Sequence, residues 1–192
     1  MRKLSLQQFA VSVDGYICQE NTDFYQLWQS LVDEEFDAYF TAALKRAGTH
    51  VMGRITYEAM SQFWPAHAKS PNPGLAAVAA IMNDIPKVVF SRSLAKADWS
   101  ESRIARGDTA EEIARLKTET GGEIVAHGGA SFVRSLVQLE VVDEYRLYVA
   151  PFAIGNGVSL FGELKRPQAL RLQSVKSFPS GIMEVVYEHS RD

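Results

Sequence analysis

Three short segments of the sequence place an arginine, a hydroxyl group or paired glycines where a strand is expected to end. The first has Gly53, Arg54 and Thr56 at the start of a helical stretch. Such a helix start presents unpaired backbone N–H groups and the positive end of the helix dipole, and both attract phosphate. Arg54 would add a charge-assisted hydrogen bond and Thr56 a hydroxyl. The alternative is that Gly53 serves only a tight turn and Thr56 caps its own helix.

The second segment is Gly128-Gly129 followed by Ala130 and Ser131. Two glycines let the backbone approach a diphosphate without a Cβ atom in the way, and the helix that follows supplies the field. The spacing is not G-x-G-x-x-G, which disfavours a simple Rossmann domain. We interpret His127, just before this turn, as a packed or hydrogen-bonded strand residue, because the sequence pairs it with no nucleophile.

The third segment is Ser91-Arg92, which follows the apolar run at 87–90. At the carboxyl end of a parallel strand these residues would face the crevice in which ligands usually bind. Arg92 would then pair with a phosphate while its plane stacks on a base. For this pair taken alone, a solvated loop is the more ordinary explanation.

Several common catalytic motifs are absent from the sequence. It has no Walker lysine motif, no G-x-S-x-G elbow and no H-E-x-x-H pair. Cys18 is its one cysteine, which excludes the zinc-deaminase signature, an internal disulfide and a multi-thiolate metal cage. We therefore predict no metal site, and a lone cysteine fits a reducing, cytoplasmic location.

Composition sets broader limits on the fold and on the partners. Of the 192 residues, 46% are hydrophobic and 22% are charged, as in an ordinary globular protein. This length suits one domain, which we predict to span residues 1–192. The formal net charge of −3 offers no basic surface for nucleic acid, and no apolar run has the length of a signal peptide or a membrane span. We therefore expect neither nucleic acid nor a membrane as a partner.

Hydrophobic periodicity predicts strands that alternate with helices, which indicates a largely parallel sheet covered on both faces. The predicted strands are 4–13, 49–52, 87–90, 123–127 and 144–150. The predicted helices are 33–47, ended by Gly48, then 54–62, 75–82, 109–118 and 130–139. Two alternating stretches at 169–177 and 182–189 predict an antiparallel hairpin at the edge of the sheet.

Taken in order, these segments resemble the dihydrofolate-reductase-like superfamily, and most of all the branch that contains the reductase domain of riboflavin biosynthesis. The motifs that carry the resemblance are Asp14-Gly15, Gly53-Arg54-x-Thr56, Ser91-Arg92, Gly128-Gly129 and Gly155-Asn156-Gly157. The resemblance implies a three-layer α/β/α fold with a mixed sheet of about eight strands, NADPH as the cofactor and, often, a homodimer. The chain would be a stand-alone reductase, because no deaminase domain accompanies it.

The resemblance assigns the phosphates of NADPH to the three anion segments. The first segment matches the family's phosphate-binding helix start, and the double-glycine turn matches its diphosphate loop. The serine–arginine pair matches the contact with the adenosine 2′-phosphate, which favours NADP over NAD. The predicted cofactor-binding residues are Gly53, Arg54, Thr56, Ser91, Arg92, Gly128, Gly129, Ala130 and Ser131.

Asp14 and Gly15 match the riboflavin branch's Asp-Gly at the end of the first strand, beside the nicotinamide and the substrate. We predict that Asp14 is catalytic, by orienting the substrate or relaying a proton directly or through water. The alternative is that Asp14 only forms an Asx turn before Gly15.

Aromatic side chains would wall a flat substrate, with Trp28 and Tyr57 as the predicted contacts and Phe63 and Trp64 beside them, although aromatics of this size are more often part of a core. A sugar-phosphate substrate would need a second cation, and the sequence offers Arg103 and Arg106 without deciding between them.

The sequence departs from true dihydrofolate reductases after the first strand. The stretch from Asp23 to Trp28 lacks the family's Leu-Pro-Trp-like segment, and Glu34, Glu35 and Asp37 are possible substitutes for the carboxylate that binds the pterin. Acidic residues at a helix start are also expected from the helix dipole alone.

We therefore predict an NADPH-dependent oxidoreductase that acts on a small heterocyclic substrate and resembles 5-amino-6-(5-phosphoribosylamino)uracil reductase. A dihydrofolate or other pteridine reductase is one alternative. An NADP-binding module for sensing or assembly, without turnover, is the other.

Overall fold

A computed structural model describes residues 1–18 and 24–190 of the chain. Asp23 lies outside the described residues. The strands are β1 Leu4–Val11, β2 Tyr16–Cys18, β3 Ala47–Gly53, β4 Lys87–Phe90, β5 Ser102–Ala105, β6 Glu123–His127, β7 Glu144–Val149, β8 Val158–Ser159, β9 Leu170–Ser177 and β10 Met183–His189. The helices are α1 Phe24–Leu31, α2 Glu34–Leu44, α3 Arg54–His67, α4 Pro73–Asp84, α5 Thr109–Thr118 and α6 Ala130–Gln138.

Eight strands form one mixed sheet in the order β5-β4-β3-β6-β1-β7-β10-β9. The pairs from β5 to β7 are parallel. The pairs β7–β10 and β10–β9 are antiparallel, which confirms the expected hairpin at the edge. β2 and β8 pair separately as a small antiparallel ribbon.

Helices cover both faces of the sheet, because successive side chains of each strand point to opposite faces. Leu4 and Leu6 of β1 share one apolar cluster with Leu136 of α6. Met52 of β3 lies in a separate cluster with Met82 of α4. This arrangement confirms the three-layer α/β/α architecture. None of the described helices is both long and apolar enough to cross a bilayer.

The predicted elements omit α1 and β5, and they also differ from the structure at the end of α2. The helix begins as expected, with the Asp33 carboxylate accepting a hydrogen bond from the Phe36 N–H at 2.8 Å. It ends at Leu44, and Gly48 lies inside β3 instead of ending the helix. A Cβ atom on Gly48 would lie 2.5 Å from the backbone nitrogen of Gly122. Gly48 is therefore needed where two backbones meet, which local periodicity does not show.

Candidate functional site

The carboxyl ends of β3, β4 and β6 meet at one edge of the sheet. In the parallel registers Gly53 pairs with Phe90, and Val51 pairs with Ala126. The turns that follow these strands are therefore neighbours, as the sequence predicted. Ligands of open α/β sheets bind at this edge.

The double-glycine turn lies against the first turn of α3. Gly128 and Gly129 have positive φ angles of 50° and 74°, which other residues rarely adopt. A Cβ atom on Gly129 would lie 2.5 Å from the Thr56 hydroxyl oxygen. Gly129 is also the N-cap of α6 and makes no side-chain capping bond. The start of α6, the Thr56 hydroxyl and the uncovered backbone of the double-glycine turn thus lie together. Such an arrangement suits a diphosphate.

Gly53 is a glycine because of packing, not because of its backbone angle. Its φ of −81° is open to any residue, but a Cβ atom would lie 3.0 Å from the Phe132 Cβ atom. Gly53 therefore lets α6 approach the start of α3. The Thr56 hydroxyl lies by Gly129, and Gly53, the N-cap of α3, makes no side-chain capping bond.

Arg54 lies along the outside of α3. Its Nη1 atom donates to both carboxylate oxygens of Glu58, at 2.8 and 3.0 Å. Both side chains are about half exposed, and an exposed pair of this kind is worth about 0.5 kcal/mol. A phosphate at the helix start would therefore displace Glu58 at little cost.

The Ser91-Arg92 loop holds its two polar side chains differently. The Ser91 hydroxyl accepts from the backbone N–H groups of Ser93 and Leu94, at 3.2 and 2.9 Å. Arg106 donates to the Leu94 carbonyl at 2.8 Å and braces the same loop. Arg92 is exposed, and its guanidinium has no hydrogen bond or ion pair with any described residue. Of this pair, Arg92 carries the charge that is open to an anion.

The two further arginines considered for a substrate phosphate are already engaged. Arg106 braces the loop, and Arg103 forms an ion pair with Glu112 of α5. Neither lines the aromatic cavity described below.

Asp14 anchors a distant loop. Its carboxylate accepts from the backbone N–H groups of Ile154 and Gly155, at 3.2 and 2.7 Å. The Ser12 hydroxyl and the Gly155 N–H lower the pKa of Asp14, so this exposed side chain is ionised at neutral pH. Gly15 follows it with a φ of 85°. An ionised carboxylate suits orientation of a loop or a substrate better than donation of a proton.

A cavity of about 600 Å³ lies between α1, α2 and α3, within the usual size range of small-molecule sites. Its lining residues are mainly apolar and include Trp28, Val32, Met60, Phe63 and Trp64. Three of the four predicted aromatic residues therefore come together here. Trp28 also packs edge-on against Phe36 at 5.5 Å, so one side of its ring belongs to the core.

Asp37, in the first turn of α2, is the one charged residue of this lining among the described residues. Burial, and then the neighbouring Asp33, raise the pKa of Asp37. Glu35 pairs with Lys176 at 2.9 Å, and neither it nor Glu34 lines the cavity. The sequence could not distinguish these three acidic residues, and the structure shows that only Asp37 lines the cavity.

Tyr57 is not among the residues that line this cavity, so its predicted contact with the substrate stays a prediction. Its side chain is buried in the cluster that contains Leu44 and Met82. Its hydroxyl oxygen accepts from the backbone N–H of Trp99 at 2.9 Å. The phenol is held in the core because it satisfies a buried donor.

Phe9, near the end of β1, joins the cavity to the double-glycine turn. Its ring meets Trp28 and His127 edge-on, with centroids 5.9 Å away in both cases. His127 is the residue before Gly128. A substrate in the cavity and a cofactor on the turn would therefore lie on opposite sides of the Phe9 ring.

The model of the RibD C-terminal domain family matches residues 5–183. The Bacillus subtilis (strain 168) protein YyaP is 30% identical over 179 residues, which cover 93% of this chain and 90% of YyaP. A putative riboflavin biosynthesis protein from Shewanella sp. PV-4 superimposes with a TM-score of 0.75 at 22% identity, covering all of both chains. Dihydrofolate reductase from Enterococcus faecalis, complexed with NADP(H), superimposes with a TM-score of 0.55 at 17% identity, covering 98% of this chain and 97% of the reductase. The fold is therefore dihydrofolate-reductase-like.

Proposed function

This chain belongs to the RibD C-terminal domain family, and on that basis we propose that it is an NADPH-dependent reductase of a small heterocyclic substrate. The observation that carries the proposal is the junction of Thr56 with Gly128 and Gly129. There, two helix starts without side-chain caps open onto one edge of the sheet.

The residues at this edge fit the phosphates of NADPH. The backbone at 128–131 and the Thr56 hydroxyl would hold the diphosphate, and Arg54 would exchange Glu58 for a phosphate oxygen. Arg92 would meet the 2′-phosphate that distinguishes NADPH from NADH. When bound, NADPH supplies a hydride from its nicotinamide ring.

The chain's own residues would place the substrate. Trp28 and Phe63 present aromatic surface to a flat ring, and Phe9 stands between that ring and the cofactor turn. Asp14 holds the loop at Ile154 and Gly155 in place. Such positioning, rather than acid chemistry at Asp14, is what these contacts supply.

The lining of the cavity bears on the choice of substrate. A phosphoribosyl group, as in the riboflavin-pathway substrate, needs a cation, and no lysine or arginine is among the described residues of the lining. Asp37 instead offers a carboxylate to ring N–H and amino groups. This observation favours a second candidate function, a pteridine reductase, within the same NADPH-dependent chemistry.

Steady-state assays of NADPH oxidation distinguish these functions. We expect turnover with a pteridine, or with 5-amino-6-(5-phosphoribosylamino)uracil, and loss of pteridine turnover in Asp37→Asn. Exposed Glu34→Gln is the matched control and should keep it. NADPH binding without turnover of any such heterocycle would instead support the binding-only alternative.

The cofactor contact has its own test. Arg92→Ala should weaken NADPH binding about tenfold, the loss of one charged contact, and leave NADH binding unchanged. Arg103→Ala, which removes an exposed arginine paired elsewhere, should change neither. Equal loss of NADPH and NADH in Arg92→Ala would remove this residue from the 2′-phosphate site.

We also propose a homodimer that forms through the outer strands of the sheet, and a cytoplasmic location. Leu172, Val175 and Met183 are exposed on β9 and β10, and the strand registers place them on one face. Val175→Lys should yield a monomer in sedimentation velocity, whereas Gln173→Lys on the other face should not. A wild-type monomer at micromolar concentration would contradict the dimer.

A further inference from the structure

Gln7 of β1 and His127 of β6 form a buried polar pair. They are register partners on adjacent parallel strands, and His127 Nε2 lies 3.1 Å from Gln7 Oε1. Their residues are 1% and 3% exposed. Because water does not reach them, each depends on the other for its hydrogen bond.

Gln7 and His127 are the last paired residues of the ladder between β1 and β6. The register runs from Leu4 with Ile124 to Gln7 with His127 and stops there. Beyond it β1 continues along β7 with an irregularity between Gln8 and Val11. β6 passes into the double-glycine turn. The two strands part at this point, and the candidate site lies where they part.

The surroundings of His127 offer its ring other contacts but no second described side-chain hydrogen bond. The rings of Phe9 and Phe40 lie at 5.9 and 6.4 Å. The His50 ring lies at 4.7 Å, and both of its buried nitrogens lack a hydrogen-bond partner among the described residues. Burial lowers the pKa of His127 to about 4, so the ring is neutral and its proton is placed by Gln7.

We propose that Gln7 and His127 are positioning residues for the cofactor, which set the angle at which the Gly128-Gly129 turn leaves the sheet. In this role the pair would contact neither the phosphates nor the substrate. It acts through the backbone, because His127 is directly bonded to Gly128 and cannot rotate while Gln7 holds its ring. This inference rests on the proposed binding of NADPH at that turn.

Gln8 provides a matched control within the same strand. It is the same residue type, is also buried, and points to the opposite face of β1. Its Nε2 atom donates to the carbonyl of the adjacent Phe9 at 2.9 Å, so it holds no neighbouring strand. Gln7→Met and Gln8→Met each replace an amide by an apolar group of similar size.

The test is the dissociation constant of NADPH, measured by quenching of tryptophan fluorescence for wild type, Gln7→Met and Gln8→Met. We expect about tenfold weaker binding in Gln7→Met, because a buried ring loses its partner next to the turn, and less than a twofold change in Gln8→Met. Equal affinities in wild type and folded Gln7→Met, or equal losses in the two variants, would overturn the inference. Failure of wild type to bind NADPH would instead contradict the proposed function.

Gln7→Glu covers the case in which Gln7→Met does not fold. The carboxylate keeps an acceptor for the His127 N–H. Arg146, the register partner of Gln7 on β7, is already paired with Glu144 and Glu184, so the new carboxyl group would share a proton with the His127 ring instead. We expect NADPH binding within about threefold of wild type and normal amide exchange protection at 130–133. A tenfold loss of affinity in folded Gln7→Glu would count against the hydrogen bond as the positioning element.

Discussion

Both ends of the sheet carry cationic side chains, but these side chains have different partners at the two ends. At the end where the strands begin, Lys87 Nζ donates to the carbonyls of Asn83, Ile85 and Ser100 at 2.7–2.9 Å. Arg2 donates there to the Gly122 carbonyl at 2.6 Å. These cations are therefore already hydrogen-bonded to backbone carbonyl groups of the chain.

At the end where the strands finish, one arginine and two helix starts are left open. Arg92 has no partner among the described residues, and α3 and α6 begin at glycines without side-chain caps. Both ends have cavities of about 600 Å³, so size does not tell them apart. The unsatisfied donors do, because folding leaves such groups open only where a ligand or water completes them.

The largest effect is expected from a substitution at the end of the sheet where the strands finish, which we call the open end. Gly129→Val would put a branched side chain at a φ of 74° and against the Thr56 hydroxyl, so NADPH binding should weaken by more than about a hundredfold. Calorimetric titration measures the loss, and circular dichroism checks the fold. Gly107→Val is the control, because a Cβ atom there meets nothing within 4 Å. Retained binding in Gly129→Val would show that the turn is only structural.

Lys87→Met, at the end of the sheet where the strands begin, should lower stability and leave NADPH binding almost unchanged. Three carbonyls would lose their donor, and the contact of Nζ with the Trp99 ring, at 4.3 Å, would be lost as well. We expect about 3 kcal/mol less free energy of unfolding in urea, with the NADPH dissociation constant within twofold of wild type. A large loss of NADPH affinity in a folded variant would erase the distinction between the ends.

His127 links the open end to stability through pH. Its pKa is lowered to about 4 in the folded chain, against about 6.5 when unfolded. The unfolded chain therefore binds the proton first, and the stabilisation present above pH 6.5 is lost as the pH falls towards 4. Between pH 6.5 and 5 this amounts to about 1.5 kcal/mol. Urea unfolding of His127→Gln should show that much less dependence on pH than wild type; an unchanged slope in His127→Gln would contradict the assignment.

The smallest effect separates two roles for Asp14. If it anchors the loop at Ile154 and Gly155, Asp14→Asn keeps an acceptor and should lower kcat less than about threefold. Asp14→Ala should cost about tenfold, because two N–H groups lose their acceptor. Steady-state kinetics on both variants decides the matter. An equal and larger loss in both would restore a proton-relay role.

Local pattern was enough to find the open end. Gly128-Gly129 and Gly53-Arg54 each follow a buried strand, and parallel strands necessarily bring such turns to one edge. The sequence could not show that Gly53 leaves room for the Phe132 side chain, or that Gly48 leaves room for the backbone of Gly122. Those contacts join elements that are far apart in the chain.

Side-chain direction was the other limit. Tyr57 lies on the same helix as Met60 and Trp64, and only the distant Trp99 N–H explains why it turns into the core. Asp37 could not be told from Glu34 and Glu35, because all three suit a helix start. The one local sign of the buried pair was the run Gln7-Gln8 inside a strand whose other residues, except Ser5, are apolar.

The most direct test of the account is a crystal structure of the protein soaked with NADPH. We predict the diphosphate on the backbone of residues 128–131, the 2′-phosphate within hydrogen-bond distance of Arg92, and the nicotinamide beside Phe9, facing the cavity that Trp28 lines. NADPH bound at the other end of the sheet, beside Arg2 and Lys3, would contradict it.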